Sequence, residues 1–322
     1  MGPYILRRVI AMVPTWLIII FAVVALLRLI PGSTVDLLLQ DQGSGGVQSG
    51  RAKLDREAVE KRLGLDQPIP VQYVQYVAGV AHGDFGKSLW TQIPATTTIA
   101  QRAPVTIQVA IIAFVAAFLL SIPIGVISAV RQDRPADYIL RSVSIAGISI
   151  PNFAIGTALI MFPQMWWGWG ITFGWVSFTQ DPILHMKMLI PPAIVLGVQL
   201  SAGTARLMRT QMLEVLQQDY IRTARAKGLH ETRVIMKHAM KNAMIPVITV
   251  FGSQVAGLLG GSVISETIFG LPGLGTLLVD SINQRDYPLV QGIVVITSIV
   301  LMLMNLLVDV SYGWLDPRIR LS

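Results

Sequence analysis

Six stretches of this sequence, each at least 18 residues long, contain no Asp, Glu, Lys or Arg, and that spacing leaves few folds open. A helix needs about 20 apolar residues to cross the hydrocarbon of a bilayer. Inside lipid every backbone N–H and C=O must be bonded within the protein, so an apolar run of that length is a helix. The reading is all-α and polytopic, with six transmembrane helices over about 9–27, 103–130, 139–162, 188–206, 243–264 and 287–309. Ser142–Gln180 is 39 residues without a charge, too long for one crossing. The third span therefore stops near Phe162, and Trp166, Trp167 and Trp169 mark an outer loop at the interface. Only 13% of residues are charged, where a typical soluble domain carries about 25%.

Charge placement sets the orientation. Six spans put both termini on one side, together with Arg7, Arg8, the short loop Arg131–Arg134, a basic island after span four, and Arg318 and Arg320. Short loops rich in Lys and Arg face the cytoplasm. The pI near 9.9 then reflects topology, and nucleic acid is not among the expected partners. Residues 1–31 read as a tail and a retained first span, since no small-residue cleavage site follows Val9–Leu27.

Residues 32–101 form the longest polar region and are expected outside the membrane. Gln42–Gly50 is Gly/Ser-rich, and Lys53–Leu63 reads as a short amphipathic helix. Val71, Val74 and Val77 suit a helix lying on the membrane or on a neighbouring subunit. Gly83-Asp-Phe-Gly86-Lys87-Ser88 imitates a phosphate-binding loop, but Ala81 stands where its leading glycine is required. It also falls outside, so no nucleotide site is read in this chain. The chain has no cysteine, which excludes disulfides and thiolate chemistry.

The island spans Arg206–Pro246 and holds eight Lys/Arg against three acids, most of the chain's formal charge of +7. Leu207, Leu213, Leu216, Tyr220 and Ala224 recur at helical spacing before Gly228, and Val234, Ile235, Met240 and Met244 after it. A helix–glycine–helix elbow of this kind suits docking of a soluble partner. It also suits a plain hairpin in which Gly228 is only a helix cap.

Asp219-Tyr-Ile-Arg-Thr-Ala-Arg-Ala-Lys-Gly-Leu229 and His238-Ala-Met-Lys-Asn-Ala-Met-Ile-Pro246 resemble the cytoplasmic coupling loop of dipeptide/oligopeptide permeases, the membrane subunits of binding-protein-dependent ATP-binding-cassette importers. Glu266-Thr-Ile-Phe-Gly-Leu-Pro272-Gly273-Leu-Gly275, Asn283–Gln291, Asn305–Asp309 and Leu315–Arg318 are similar to the same family. The likeness is poorest over Gln40–Lys53 and at Ala154, where relatives often carry an aromatic residue. It implies a type I importer permease domain over 95–312, a coupling loop over 207–242 and a cytoplasmic tail over 313–322. Asp219, Tyr220, Arg222, Thr223, Ala224, Arg225, Ala226, Lys227, Gly228 and Leu229 would then be the residues that meet the ATPase. The implied partners are a second permease subunit, two cytoplasmic ATPases that bind ATP and Mg, an extracytoplasmic binding protein, and membrane lipid. This chain would bind no cofactor and catalyse nothing itself. The location implied is a prokaryotic inner membrane. Di- or oligopeptide is the first choice of cargo, with nickel, glutathione, opines or oligosaccharides as alternatives.

No ionisable residue lies in the middle of any span, whereas ion-coupled carriers place such groups on their pathway. A secondary carrier, the rival from another class, thus shows no ion-coupling site, and a membrane enzyme lacks catalytic residues and metal ligands. Asn152, Gln199, Gln254, Glu266, Pro272 and Gly273 are candidates for the path or its gate, and the uncharged Asn152, Gln199 and Gln254 also suit hydrogen bonding between helices, the commoner role of such residues. Gly252, Ala256 and Gly260 allow close packing, within one subunit or between two.

Overall fold

The computed structural model describes residues 2–29, 66–168 and 170–315. In chain order its helices are α1 (Gly2–Leu29), α2 (Ile69–Ala81), α3 (Ala95–Val130), α4 (Pro135–Ser149), α5 (Asn152–Trp167), α6 (Pro182–Leu216), α7 (Asp219–Ala226) and α8 (Glu231–Arg233). A π-helical turn, Val234–Ala239, leads into α9 (Met240–Ser253), followed by α10 (Val255–Phe269), α11 (Leu274–Asn283) and α12 (Tyr287–Leu315). Among the described residues the only β-pairing is one bridge between Lys87 and Pro94. Gln42–Gly50, Lys53–Leu63, Trp169, Arg318 and Arg320 lie outside the described residues.

Four helices are long and apolar enough to cross a membrane, or up to six if each of two bent pairs counts as one span. The bends are where the structure departs from straight spans. Between α4 and α5 the axis turns by 103°, so the stretch expected as one helix over 139–162 is broken. The cause is local: Ile150 precedes Pro151, and the proline ring drives its neighbour into extended backbone, φ −82° and ψ 124°. Asn152 then opens a new helix. Span five is likewise interrupted at Gln254, and α10 runs on to Phe269, beyond the limit near 264 that hydropathy suggests. After Gly273 the chain forms α11, turned 81° from the end of α10.

The chain divides into two compact units, residues 1–103 with 277–303, and residues 104–276 with 304–322. In the first, Ile20 and Val24 of α1 are buried with Val80 and Val295, and Tyr73, Tyr76 and Val77 of α2 pack against them. Tyr73 donates a hydrogen bond to the Leu17 carbonyl at 3.3 Å and meets Phe21 edge-on. Thus α2 lies on α1 through Val77, while Val71 and Val74 face outward.

In the second unit Val105, Val109, Ala113 and Ala117 of α3, each four residues from the last, line up against Leu189, Ala193, Leu196 and Leu200 of α6. That stripe is what helical periodicity predicts for a packed face. The approach is close enough that a Cβ on Gly125 would collide with Met208, 2.6 Å away, which is why a glycine stands there. At 35 residues and about 1.5 Å each, α6 is about 52 Å long, well beyond the roughly 30 Å of hydrocarbon. The first residues of the basic island, through Leu216, are therefore a continuation of this helix and not a separate loop.

Candidate functional site

The elbow is built on a second apolar cluster. Ile221 and Ala224, three apart on α7, are buried with Ala129 of α3, Met208 and Met212 of α6, and Val234, Ala239, Ala243 and Val247 beyond the turn. A single-turn amphipathic face thus seats α7 on the ends of three longer helices. The chain reverses at Gly228, whose φ of +73° is left-handed, a region open to glycine without steric penalty. Its N–H donates to the Arg225 carbonyl at 2.9 Å, and His230 caps the next turn by accepting the Thr232 N–H.

Two side-chain clamps hold the reversal. Arg225 donates to Glu231 through Nη2 at 2.6 Å and Nε at 3.2 Å, a fork that spans the glycine. The pairing holds the Glu231 carboxyl below its ordinary range and pushes the Arg225 guanidinium up. Both side chains are about half exposed, so the pair contributes about 0.5 kcal/mol and acts mainly on geometry. Asn242 Nδ2 donates to the Tyr220 hydroxyl at 2.7 Å, tying α7 to α9. The π-turn in between widens the helix by one residue and buries both Val234 and Ala239.

What remains faces outward. Asp219, Tyr220, Arg222, Thr223, Arg225, Ala226, Lys227 and Gly228 are exposed, and Arg222 pairs only loosely with Asp219 at 3.2 Å. Ala224 is a core anchor and Leu229 is half-buried against the same cluster, so neither presents a free surface. The result is a small convex knob with an aromatic ring and a cluster of cations on a rigid base.

The six residues expected along a path separate into two groups. Glu266, Pro272 and Gly273 come together in one turn. The Glu266 side chain is fully buried; Oε1 accepts from Thr106 Oγ1 at 2.6 Å, and Oε2 from the N–H groups of Gly275 and Thr276 at 2.7 and 3.3 Å. Thr106 Oγ1 in turn accepts the Leu274 N–H at 2.8 Å. A Cβ on Gly273 would strike the Glu266 carboxyl group. The Leu271–Gly275 turn is thus wrapped on a carboxylate, with α3 as its third wall, and Glu266 is spent on holding it.

Asn152 and Gln254 sit instead at helix breaks, and Gln199, within α6, reaches one of them. Gln199 Nε2 donates to the Ile150 carbonyl at 3.3 Å, satisfying a group that the Pro151 break frees from the helical ladder. Asn152 follows that break, and Gln254 is the break in span five. Hydrogen bonding between segments therefore accounts for Gln199.

Two further constellations escape pattern reading because each joins residues far apart in sequence. Asp137, fully buried at the start of α4, accepts a fork from Arg209 of α6 at 2.8 and 2.7 Å, the Ser128 hydroxyl at 2.5 Å and the Asp133 N–H at 3.1 Å. This locks the loop after α3 to the helix that leads into the elbow. In the first unit, Asp286 accepts the Ser88 hydroxyl at 2.5 Å and the Leu89 N–H at 3.2 Å, and Trp90 donates its indole N–H to Gln284. Burial pushes the Asp286 carboxyl above its ordinary range. The phosphate-loop lookalike at 83–88 is a latch onto this aspartate. Among the described residues no cluster of His, Asp and Glu could hold a metal.

With this geometry in hand, comparison with known proteins is specific. Residues 121–321 match the family described as binding-protein-dependent transport system inner membrane component, and residues 1–110 match its N-terminal companion. Similar proteins include the oligopeptide transport system permease protein AppB of Bacillus subtilis, 39% identical over 99% of this chain and 100% of its own. The dipeptide transport system permease protein DppB of Escherichia coli K12 is 40% identical over 98% of each chain. The glutathione transport system permease protein GsiC of Salmonella typhimurium is 39% identical over 98% of each. Among solved structures, the inward facing MetNI methionine ABC transporter aligns with a TM-score of 0.55 at 17% identity, covering 68% of this chain and 96% of the other. An amino acid ABC transporter aligns at 0.54 and 15%, covering 68% and 94%. At those identities the two structures bear on the fold alone.

Proposed function

This chain belongs to the family of binding-protein-dependent transport system inner membrane components, and from that premise we propose that it is one permease subunit of an ATP-driven importer of di- or oligopeptides. A second permease subunit, two ATPases that hold ATP and Mg, and an extracytoplasmic binding protein complete the assembly. The subunit itself is non-catalytic, with both termini in the cytoplasm. The observation that carries the reading is the elbow. Arg225–Glu231 and Tyr220–Asn242 fix α7 on the same apolar cluster that receives α3, α6 and α9. A push on the exposed knob at Tyr220, Arg222, Thr223 and Lys227 is delivered to membrane helices through packed side chains, because a close-packed cluster moves as a unit. Closure of the ATPases thereby rocks the helices and opens the passage toward a loaded binding protein.

Glutathione is the second reading for cargo, because a relative of that name is as similar over the full chain as the oligopeptide permease. The test is uptake by vesicles that hold the complete assembly, with labelled dipeptides and glutathione compared side by side. ATP-dependent accumulation of dipeptides is expected. Uptake that instead collapses with an uncoupler and ignores ATP would favour a secondary carrier, and uptake or ATP hydrolysis by this polypeptide alone would overturn the assignment.

A further inference from the structure

A cavity of about 360 Å³ opens between α4 and α6, apart from the elbow and from the Glu266 turn. Three arginines line it, Arg141, Arg206 and Arg209, with the hydroxyls of Ser128, Ser144 and Thr210, and no carboxylate lines it. The three cations are not equivalent. Arg209 is already neutralised by its fork to Asp137. Arg141 and Arg206 form no ion pair among the described residues; Arg141 only stacks over Tyr138 at 5.7 Å. Two free guanidinium forks lining one space are suited to a phosphate group, which accepts from several planar donors at once. The three hydroxyls already donate within the protein, Ser128 to Asp137, Ser144 to the Leu140 carbonyl and Thr210 to the Arg206 carbonyl, so the guanidinium groups carry the site.

Depth in the membrane identifies the carrier of that phosphate. Arg206 is the first charge after the uncharged run 188–205, and Arg141 is the last charge before the uncharged run 142–180. Each therefore marks the edge of the hydrocarbon on its own helix, at the level where headgroups lie. Next to Arg141, Ile139 and Val143 are 62% and 61% exposed, apolar surface on which acyl chains can rest. Basic pockets between membrane helices on the cytoplasmic side take anionic headgroups on these grounds. We propose that Arg141 and Arg206 form a binding site for the phosphate of an anionic phospholipid in the leaflet on the elbow's side. Its occupant would brace α4 against α6 just where the Asp137–Arg209 lock joins them.

The test needs no transport assay. The assembled transporter is purified in detergent, washed, and weighed by native mass spectrometry for retained phosphatidylglycerol. Wild type is expected to keep it, and Arg141→Gln/Arg206→Gln to lose it by about tenfold or more, since two charge-assisted contacts are removed. Arg131→Gln/Arg134→Gln, with the same change in net charge in the adjacent loop, is expected to keep it. Equal loss from both variants, or wild-type preference for phosphatidylcholine, would overturn the proposal. Displacement of the lipid by millimolar inorganic phosphate would overturn it in favour of a free-anion site. If the glutamine variant fails to assemble, Arg141→Lys/Arg206→Lys keeps both charges and removes the forks: retention reduced several-fold supports the site, and unchanged retention overturns it.

Discussion

Gly228 is where strain can be introduced with least damage elsewhere. Its φ is +73°, and nothing lies within 4 Å of where a Cβ would project, so a substituent meets no neighbour and acts through the backbone alone. Alanine in that conformation costs about 1 kcal/mol, a β-branched residue more, and asparagine, which tolerates left-handed backbone, a few tenths. One kcal/mol shifts a local equilibrium about fivefold, enough to depopulate an elbow held by a half-exposed ion pair but far too little to unfold a membrane subunit. The seat of α7 through Ile221 and Ala224 and the packing of the spans are untouched. Uptake is therefore expected to fall in the order Gly, Asn, Ala, Val. Gly228→Asn should stay within about twofold and Gly228→Val should lose more than tenfold, at near-normal membrane abundance. ATP hydrolysis should lose its stimulation by loaded binding protein in step with uptake. Abundance, uptake and stimulated hydrolysis are measured on one preparation. Wild-type uptake in Gly228→Val, or a series that follows side-chain size instead of tolerance for positive φ, refutes the reasoning.

The Asp137–Arg209 lock is expected to be costly to break from one side. Asp137→Ala leaves the Arg209 guanidinium, 17% exposed, without its partner, for a loss of about 3 kcal/mol read as a lower unfolding temperature of the purified complex; Asp137→Ala/Arg209→Met should recover part of it. Asp286 supplies a pH dependence. Its raised pKa means the folded state holds the proton more tightly than the unfolded chain, so the latch is most stable below the ordinary aspartate value, about pH 4. That stability is lost as pH rises through the folded pKa. Asp286→Asn should flatten the profile of unfolding temperature against pH, and an unchanged profile would exclude Asp286 as its source. Orientation is open to single-cysteine labelling, since the chain has none of its own. An impermeant reagent should reach Thr179→Cys in intact cells and His230→Cys only after lysis.

How much of this was legible beforehand depends on the range of the interaction. Uncharged runs locate α1, α3, α6 and α12 because hydropathy is summed over many residues and tolerates local exceptions. The 103° turn at Ile150–Pro151 is not legible in that sum. A proline in a span is compatible with a mild kink or a full break, and the choice rests on whether distant groups such as Gln199 satisfy the freed carbonyls. The elbow was visible in outline through Gly228 and the periodicity on either side. Its clamps were not, since Tyr220–Asn242 crosses 22 residues and depends on the π-turn between them. Glu266 and Gly273 stand out in the sequence as path candidates, but a carboxylate wrapped by backbone N–H groups and one lining a passage have the same sequence. Asp137–Arg209 and Ser88–Asp286, separated by 72 and 198 residues, carry no local signature at all.

The proposed function makes the knob at 219–228 the place where this subunit receives the work of the ATPases. Thr223, exposed on α7 and outside the clamps, is the place to ask, because a cysteine there disturbs neither Arg225–Glu231 nor Tyr220–Asn242. In the assembled transporter, Thr223→Cys treated with a short bifunctional reagent should cross-link to an ATPase subunit, with a yield that changes between nucleotide-free and ATP-trapped states. A complex that transports at the wild-type rate yet gives no cross-link from residue 223 to an ATPase in either state would contradict the account.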